Sequence, residues 1–300
     1  MSPAPKPRRL QALAPAKLNL GLEVIRRRRD GYHEIETIFQ TIDLCDELEF
    51  RLRPDESGLT LREKGLPLPE GEVNIVELGY NLMSERFGRQ ATGVEIVLRK
   101  NIPPRSGLGG GSSDAAALIL ALDRMWGLQL EYKALQDLAL ELGSDVPFLL
   151  RGGTAIGRGR GDELIPLPPL SQGAFLLVNP GFGISTAWAF SGLKMGLTGN
   201  PYRISVEQVK AYLSRFPARG MMIRNRFEDV VYPAHPVFEE IAGALEEQEA
   251  VHVSMTGSGA TVFGTFPDLR AAERARDELG DKWKSYLARP QTGGVELMGS

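Results

Sequence analysis

The 300-residue sequence predicts an α+β fold in two domains. Strand-like and helix-like segments are interleaved, but without the strict βα repetition of a doubly wound sheet. A glycine-rich stretch, GLGGGSS from Gly107 to Ser113, separates an apolar strand from an alanine-rich helix. Pro166, Pro168, Pro169 and Ser171 cluster near mid-chain, where prolines and polar turn residues mark a break. The expected division is a disordered, proline-rich basic tail over 1–9, one domain over 10–168 and a second over 169–300.

From Ala14 the pattern alternates. Leu18, Leu20, Leu22 and Val24 fall on one face, with Lys17, Asn19, Gly21 and Glu23 on the other, which is strand periodicity. Asp30-Gly31 is a tight-turn signal that would bring Tyr32 and His33 back beside this strand. Leu48 to Leu61 reads as further antiparallel strand. Ile75, Leu78, Leu82 and Met83 recur at helical spacing, so a helix is expected from Val73 to Phe87. The strand GVEIVLRKNIP precedes the glycine loop, and helices follow over Ser113 to Trp126 and Tyr132 to Leu142, the latter closed by Gly143. Arg151 to Arg160 is glycine-rich and reads as turns between strands. The second half reads as a strand (Ala174 to Asn179), the loop PGFGIST and helices over Val206 to Phe216 and Val237 to Gln248. A hairpin-like VHVSMTGSGATVFGTF and a helix from Leu269 to Leu279 close it.

Composition removes several function classes. A net charge of −3 argues against a dedicated nucleic-acid binder. Lys6, Arg8, Arg9, Lys17 and Arg26 to Arg29 make a basic start that suits an anionic ligand or, more blandly, a solvated turn and tail. The single Cys45 excludes an intramolecular disulfide and a multi-cysteine metal site, and its apolar neighbours suit a buried thiol. No apolar run approaches the ~18 residues of a membrane span, and the N-terminus lacks a signal core, so the cytoplasm is expected. Neither nucleic acid nor membrane is expected as a partner. The expected assembly is a monomer or a weak homodimer.

The glycine loop carries the chemistry. Four glycines, at 107, 109, 110 and 111, let the backbone press against a ligand. Successive amides can then form an anion nest, reinforced by the unpaired N–H groups at the start of the following helix. Ser112, Ser113 and Asp114 are suitable N-cap residues. A flexible linker is the alternative, but linkers do not usually join an apolar strand to an alanine-rich helix. The loop is not a P-loop, because no Gly-Lys pair occurs in the chain. A Rossmann site needs an acidic strand end roughly 20 residues on, and that distance lands on Gly127 and Leu128 after a helix. Protein-kinase signatures are absent. Phosphoryl transfer needs positioning, charge neutralisation and a proton acceptor. Asp145, in LGSDVPFLL, lies just after a helix stop and in the next helix's first turn, with Ser144 as a possible cap; acidic residues favour helix starts anyway. Lys17 and Asn19 can share a cleft, though a strand lysine usually faces solvent. His33 by itself reads as a packing residue, and Phe190 as core.

APAKLNLGLEV and DGYHEIETIF near the start, GLGGGSSDAA in the middle and TGSGATVF near the end resemble the GHMP kinases. With LGSDVPFLLRGGTAIGRGRGDEL and NRFE (Asn225 to Glu228), the match is closest to the 4-diphosphocytidyl-2-C-methyl-D-erythritol kinases, over roughly Ala14 to Phe266. The resemblance implies a two-domain GHMP kinase fold, with an N-terminal ribosomal S5 domain 2-like, nucleotide-binding domain and a C-terminal ferredoxin-like domain. It implies an ATP-dependent transfer to the 2-hydroxyl of 4-diphosphocytidyl-2-C-methyl-D-erythritol in the non-mevalonate route to isoprenoids, with Mg²⁺ bridging the phosphates and no dedicated protein metal site. Lys17 and Asp145 become the catalytic pair. Pro103, Pro104, Arg105, Ser106, Gly107, Leu108, Gly109, Gly110, Gly111, Ser112 and Ser113 hold ATP, and Asn74 and Lys100 line the adenine pocket. Asn19 joins the substrate side. Tyr32 and Phe190 sandwich the cytosine, His33 bonds its edge, and Thr186 lies near the polar end. Gly257, Ser258 and Gly259 close the site against the phosphate loop. One departure is Pro104-Arg105-Ser106, where such kinases often carry a small, glycine-containing stretch. The rivals are a GHMP kinase acting on homoserine or a mevalonate derivative, which Tyr32-His33 disfavours, and a non-catalytic nucleotide sensor. An oxidoreductase is a weaker third.

Overall fold

The computed structural model describes residues 7–89, 92–193, 204–217 and 224–299. Two long strands, β1 (Arg9–Arg27) and β2 (His33–Arg53), form an antiparallel hairpin around the Asp30-Gly31 turn. Gly31 sits there at φ 88°, and Asp30 Oδ1 accepts the Tyr32 amide at 3.1 Å. β1 begins within the tail expected to be disordered, because Leu10 is buried and Arg9 pairs with Arg51. Residues 1–6 of that tail lie outside the described residues.

β3 (Leu59–Gly65), α1 (Ile75–Arg86) and β4 (Gly93–Lys100) follow. β3 and β4 pair in parallel. The helix between them is the reason, since it carries the chain back to the starting end of the sheet. Next come α2 (Gly110–Trp126), α3 (Tyr132–Leu142), α4 (Val146–Arg151), β5 (Thr154–Arg158) and β6 (Glu163–Leu167). β5 occupies part of the stretch expected to be turns and pairs with β2 over Thr37–Gln40.

The chain enters a second, four-stranded sheet at β7 (Ala174–Asn179). Four helices then occur among the described residues before the next strand: α5 (Thr186–Gly192), α6 (Val206–Leu213), α7 (Glu228–Ala234) and α8 (Val237–Glu247). β8 (His252–Met255), β9 (Val262–Phe266), α9 (Leu269–Leu279) and β10 (Lys284–Ala288) complete an antiparallel sheet in the order β10-β7-β9-β8. A last strand, β11 (Glu296–Met298), crosses back and pairs with Gln11–Leu13 of β1. The chain's end therefore belongs to the first sheet, not to the second half where it was expected.

Among the described residues, three buried clusters hold these parts. In the first, the alanine face of α2 lies with Leu10, Ala12, Ala14 and Phe50 of the hairpin. The second joins Leu18, Leu20 and Ile38 of the first sheet to Phe175, Leu177 and Phe263 of the second. The third fills the second sheet and its helices, and includes Leu22 and Val24. The split between Leu18/Leu20 and Leu22/Val24 corrects the single apolar face expected for β1. The register shifts between Asn19 and Gly21, leaving Leu20 without a partner, and such a bulge rotates the strand.

Candidate active site

The phosphate-type loop leaves β4 and enters α2 at Gly110, earlier than the expected start at Ser113. Gly109 occupies the N-cap position at φ 72°, a left-handed conformation that a Cβ would disfavour. The opening amides of a helix have no intrahelical partner, so this end presents N–H groups to an anion. Gly107 shows why no side chain fits: a Cβ there would lie 2.2 Å from the Thr256 carbonyl oxygen. Gly257 approaches from the other side, where a Cβ would fall 3.1 Å from the Gly107 Cα. The two glycine loops touch, and the Thr261 amide bonds the Ser106 carbonyl at 3.1 Å.

Lys17 and Asp145 come together beside this contact, with Lys17 Nζ 3.2 Å from Asp145 Oδ2. β1 places Lys17 below the loop, where its amide donates to the Leu108 carbonyl at 2.8 Å. Asp145 is itself the N-cap residue of α4, not a first-turn residue capped by Ser144. The Lys17 side chain is almost fully buried, whereas that of Asp145 is 30% exposed and open to a substrate. Asn19 stands next to the pair. Its Oδ1 accepts from Lys17 Nζ at 2.7 Å and from the Gly257 amide at 3.0 Å, while its Nδ2 donates to Thr37 Oγ1 at 2.8 Å.

A cavity of about 1000 Å³ opens from Lys17 and Asp145 toward Tyr32, His33 and Phe190. Thr186 and Ser258 line it with hydroxyls 2.8 Å apart. The Phe190 ring stacks on His33, centroids 4.3 Å apart, so the two flat rings bury each other at one mouth of the cavity. Tyr32 is half-exposed, with the Arg160 guanidinium 3.9 Å from its ring centroid. Burial, helped by nearby Arg27, pulls the His33 pKa below the ordinary histidine value and so favours the neutral ring, which carries one donor and one acceptor.

A second cavity, about 320 Å³, lies on the other side of the loop. Pro103, Pro104, Arg105, Ser106, Gly107, Gly109, Gly110, Gly111 and Ser112 line it, together with Asn74 and Lys100. Leu108 does not; its side chain belongs to the core between the sheets. Ser113 is buried, and its hydroxyl has no hydrogen-bond partner among the described residues. Arg105, at φ 51°, neither points into water alone nor stands free: its Nε bonds Glu72 Oε1 at 2.6 Å. Asn74 caps α1 through the Val76 amide and donates to Glu63 at 2.6 Å. The Lys100 ammonium is committed to Asp46 and Asp114, both buried. Burial alone would lower its pKa, but the two carboxylates outweigh that and hold it above the ordinary lysine value. Burial likewise pushes Asp114 well above the usual carboxylate range, against the pull of Lys100.

Asp46, Asp114 and Arg160 were not legible as site residues. A carboxylate on a strand or early in a helix reads as solvated or capping, and nothing local announces partners far along the chain. NRFE did carry a signal. Buried Asn225 donates to the Met255 and Gly257 carbonyls, each at 2.7 Å, and accepts the Phe227 amide at 3.0 Å. Glu228 accepts from the Met255 amide at 2.8 Å and Ser254 Oγ at 2.7 Å. Together they hold the second glycine loop.

This fold and paired-loop site define a class. The family model for the GHMP kinases N terminal domain matches residues 74–153, and that for the GHMP kinases C terminal matches residues 205–285. Within the class, the 4-diphosphocytidyl-2-C-methyl-D-erythritol kinase of Pelotomaculum thermopropionicum is 42% identical over 270 residues, 88% of this chain and 92% of that protein. The enzyme of the same name from Syntrophus aciditrophicus is 40% identical over 93% of this chain and 99% of its own length. A crystal structure of 4-(cytidine 5'-diphospho)-2C-methyl-D-erythritol kinase superposes with TM-score 0.80 at 34% identity, covering 95% of this chain and 99% of that one. The homoserine kinase of Cytophaga hutchinsonii shares the fold at TM-score 0.70 and 20% identity, over 99% of this chain and 100% of that one. The chain belongs to the 4-diphosphocytidyl-2-C-methyl-D-erythritol kinase family.

Proposed function

We propose that this chain moves the γ-phosphoryl group of ATP to the 2-hydroxyl of 4-diphosphocytidyl-2-C-methyl-D-erythritol, a step in making isoprenoid precursors. One observation carries the residue-level reading: the Lys17–Asp145 pair stands where two cavities meet at Gly107, Gly109 and Ser112. The smaller cavity takes the nucleotide, with its phosphates on the loop and the start of α2. The larger takes the alcohol, its cytosine end toward Tyr32, His33 and Phe190 and its reacting end toward Asp145.

Asp145 accepts the proton of the 2-hydroxyl as that oxygen bonds to the γ-phosphorus and the bond to the β,γ-bridging oxygen breaks, leaving ADP. Lys17 donates to the reacting oxygens from a fixed position, since Asn19 and the loop restrain it. Positioning and charge neutralisation of this kind are most of what phosphoryl transfer asks of a protein. Mg²⁺ is expected with the phosphates at this loop, where the buried Ser113 hydroxyl is unpartnered among the described residues. When bound there with the phosphates, it would neutralise their charge.

The test is an ADP-release assay offering 4-diphosphocytidyl-2-C-methyl-D-erythritol, homoserine or mevalonate to the wild-type protein. Only the first should stimulate release. Asp145→Ala and Lys17→Ala should each lower kcat by roughly a hundredfold or more, the scale of a lost proton-transfer or positioning group. ATP binding without turnover on any of the three would favour the non-catalytic rival. Near-normal turnover in a folded variant would remove that residue from the pair.

A further inference from the structure

Lys100, Asp46 and Asp114 form a buried three-membered cluster that the transfer chemistry does not use. All three are at most 3% exposed. They come from three elements: Asp46 from β2, Lys100 from the last position of β4, and Asp114 from the start of α2. The phosphate loop leaves one end of this cluster and returns to the other.

At the loop's entrance, Asp46 Oδ1 accepts the Asn101 amide at 2.6 Å and the Ile102 amide at 2.9 Å. Its Oδ2 takes the Lys100 ammonium. That ammonium reaches on to Asp114 Oδ2 at 2.6 Å, at the loop's exit. Asp114 depends on this bond, because its Oδ1 is buried with no partner among the described residues. The ends are held close enough that a Cβ at Gly110 would lie 2.9 Å from an Ile102 methyl and 3.3 Å from Asp46 Oδ2.

We infer that Asp46, Lys100 and Asp114 are positioning residues that staple the two ends of the phosphate loop and thereby set its affinity for ATP. Two of the three N–H donors of this ammonium go to Asp46 and Asp114, one at each end of the loop. Retaining buried charge here is costly unless each group is paired, and removing one partner leaves another uncompensated. Small displacements of a binding loop suffice to matter, since misplacement by about 1 Å can cost a hundredfold in rate. The inference rests on the reading of this loop as the nucleotide site.

The experiment measures ATP binding by calorimetry and steady-state kinetics in wild type and Asp114→Asn, which keeps the shape and replaces the carboxyl acceptors by an amide that cannot ionise. The staple predicts that Kd and KM for ATP rise about tenfold or more. The KM for the methylerythritol substrate should stay within about twofold, a split that general loss of structure would not produce. Unchanged ATP affinity in the folded variant, or equal rises in both KM values, overturns it. If Asp114→Asn does not fold, hydrogen exchange on the free wild-type enzyme decides. The Asn101 and Ile102 amides should exchange as slowly as those of β4, and exchange at open-loop rates would overturn the staple. Wild type that fails to bind ATP at all would instead refute the nucleotide reading itself.

Discussion

Gly109 shows how little room the site leaves at single residues. A Cβ there would lie 2.9 Å from Lys17 Cγ and 3.0 Å from its Cε, on a backbone already at φ 72°. Gly109→Ala should therefore push Lys17 out of line with Asp145 as well as strain the loop. The expected result is a fall in kcat of tenfold to about a hundredfold, with stability lower by about 1–2 kcal/mol. Steady-state kinetics beside a denaturation curve check it, and a kcat within a factor of two would mean that the loop does not set the lysine. At this scale the sequence is partly readable. Period-two alternation put Lys17 and Asn19 on one face of a strand, and both do line the same cavity. What alternation cannot show is that Asn19 has its oxygen and nitrogen engaged with Lys17, Gly257 and Thr37. Those partners sit on other elements, so the residue looks like a free ligand until the fold is known.

Short elements were the hardest to read. α5, which carries Thr186 and Phe190, spans seven residues, and no helix is read there from the sequence, whose loop PGFGIST ends at Thr186. Its one local signal is Ser185, whose hydroxyl accepts the Trp188 amide at 3.4 Å as an N-cap. The turn ahead of α7 matters more, because Asn225 braces the second glycine loop from behind. The chain around it is also tied to β1, where Arg226 N donates to the Leu22 carbonyl at 2.8 Å. Asn225→Ala would leave the Met255 and Gly257 carbonyls buried without these donors. Each lost partner of this kind costs about 1–3 kcal/mol, so a loss of roughly 2–6 kcal/mol is expected for the two. Because Gly257 meets Gly107, kcat/KM for ATP should fall as well. Chemical denaturation and kinetics on the same preparation check both parts. A stability loss with unchanged kcat/KM would make the NRFE turn a fold element alone.

At the scale of the whole molecule, the two halves expected from the proline cluster share a core. Leu18 and Ile38 of the first sheet are buried together with Phe175, Leu177 and Phe263 of the second. The backbone crosses between them too: Asp43 N donates to the Arg289 carbonyl at 3.1 Å, and the Asn19 amide to Thr256 Oγ1 at 2.9 Å. β11 then returns the end of the chain to β1. A proline-rich break in sequence signals where the chain changes sheets, but not whether the sheets bury apolar surface against each other, since that depends on which faces meet. The expected behaviour is therefore one cooperative unfolding transition for both halves. Tryptophan reports on it conveniently, with Trp126 in the first core and Trp283 packed against the third. Variants that lack Trp188 and keep only one of these two should unfold at the same urea concentration. Leu18→Ala, at a fully buried position in the shared core, should cost about 2–5 kcal/mol and shift both midpoints equally. Separate midpoints in the parent variants, or a shift confined to one reporter, would show that the halves unfold independently and that the paired glycine loops must find each other after folding.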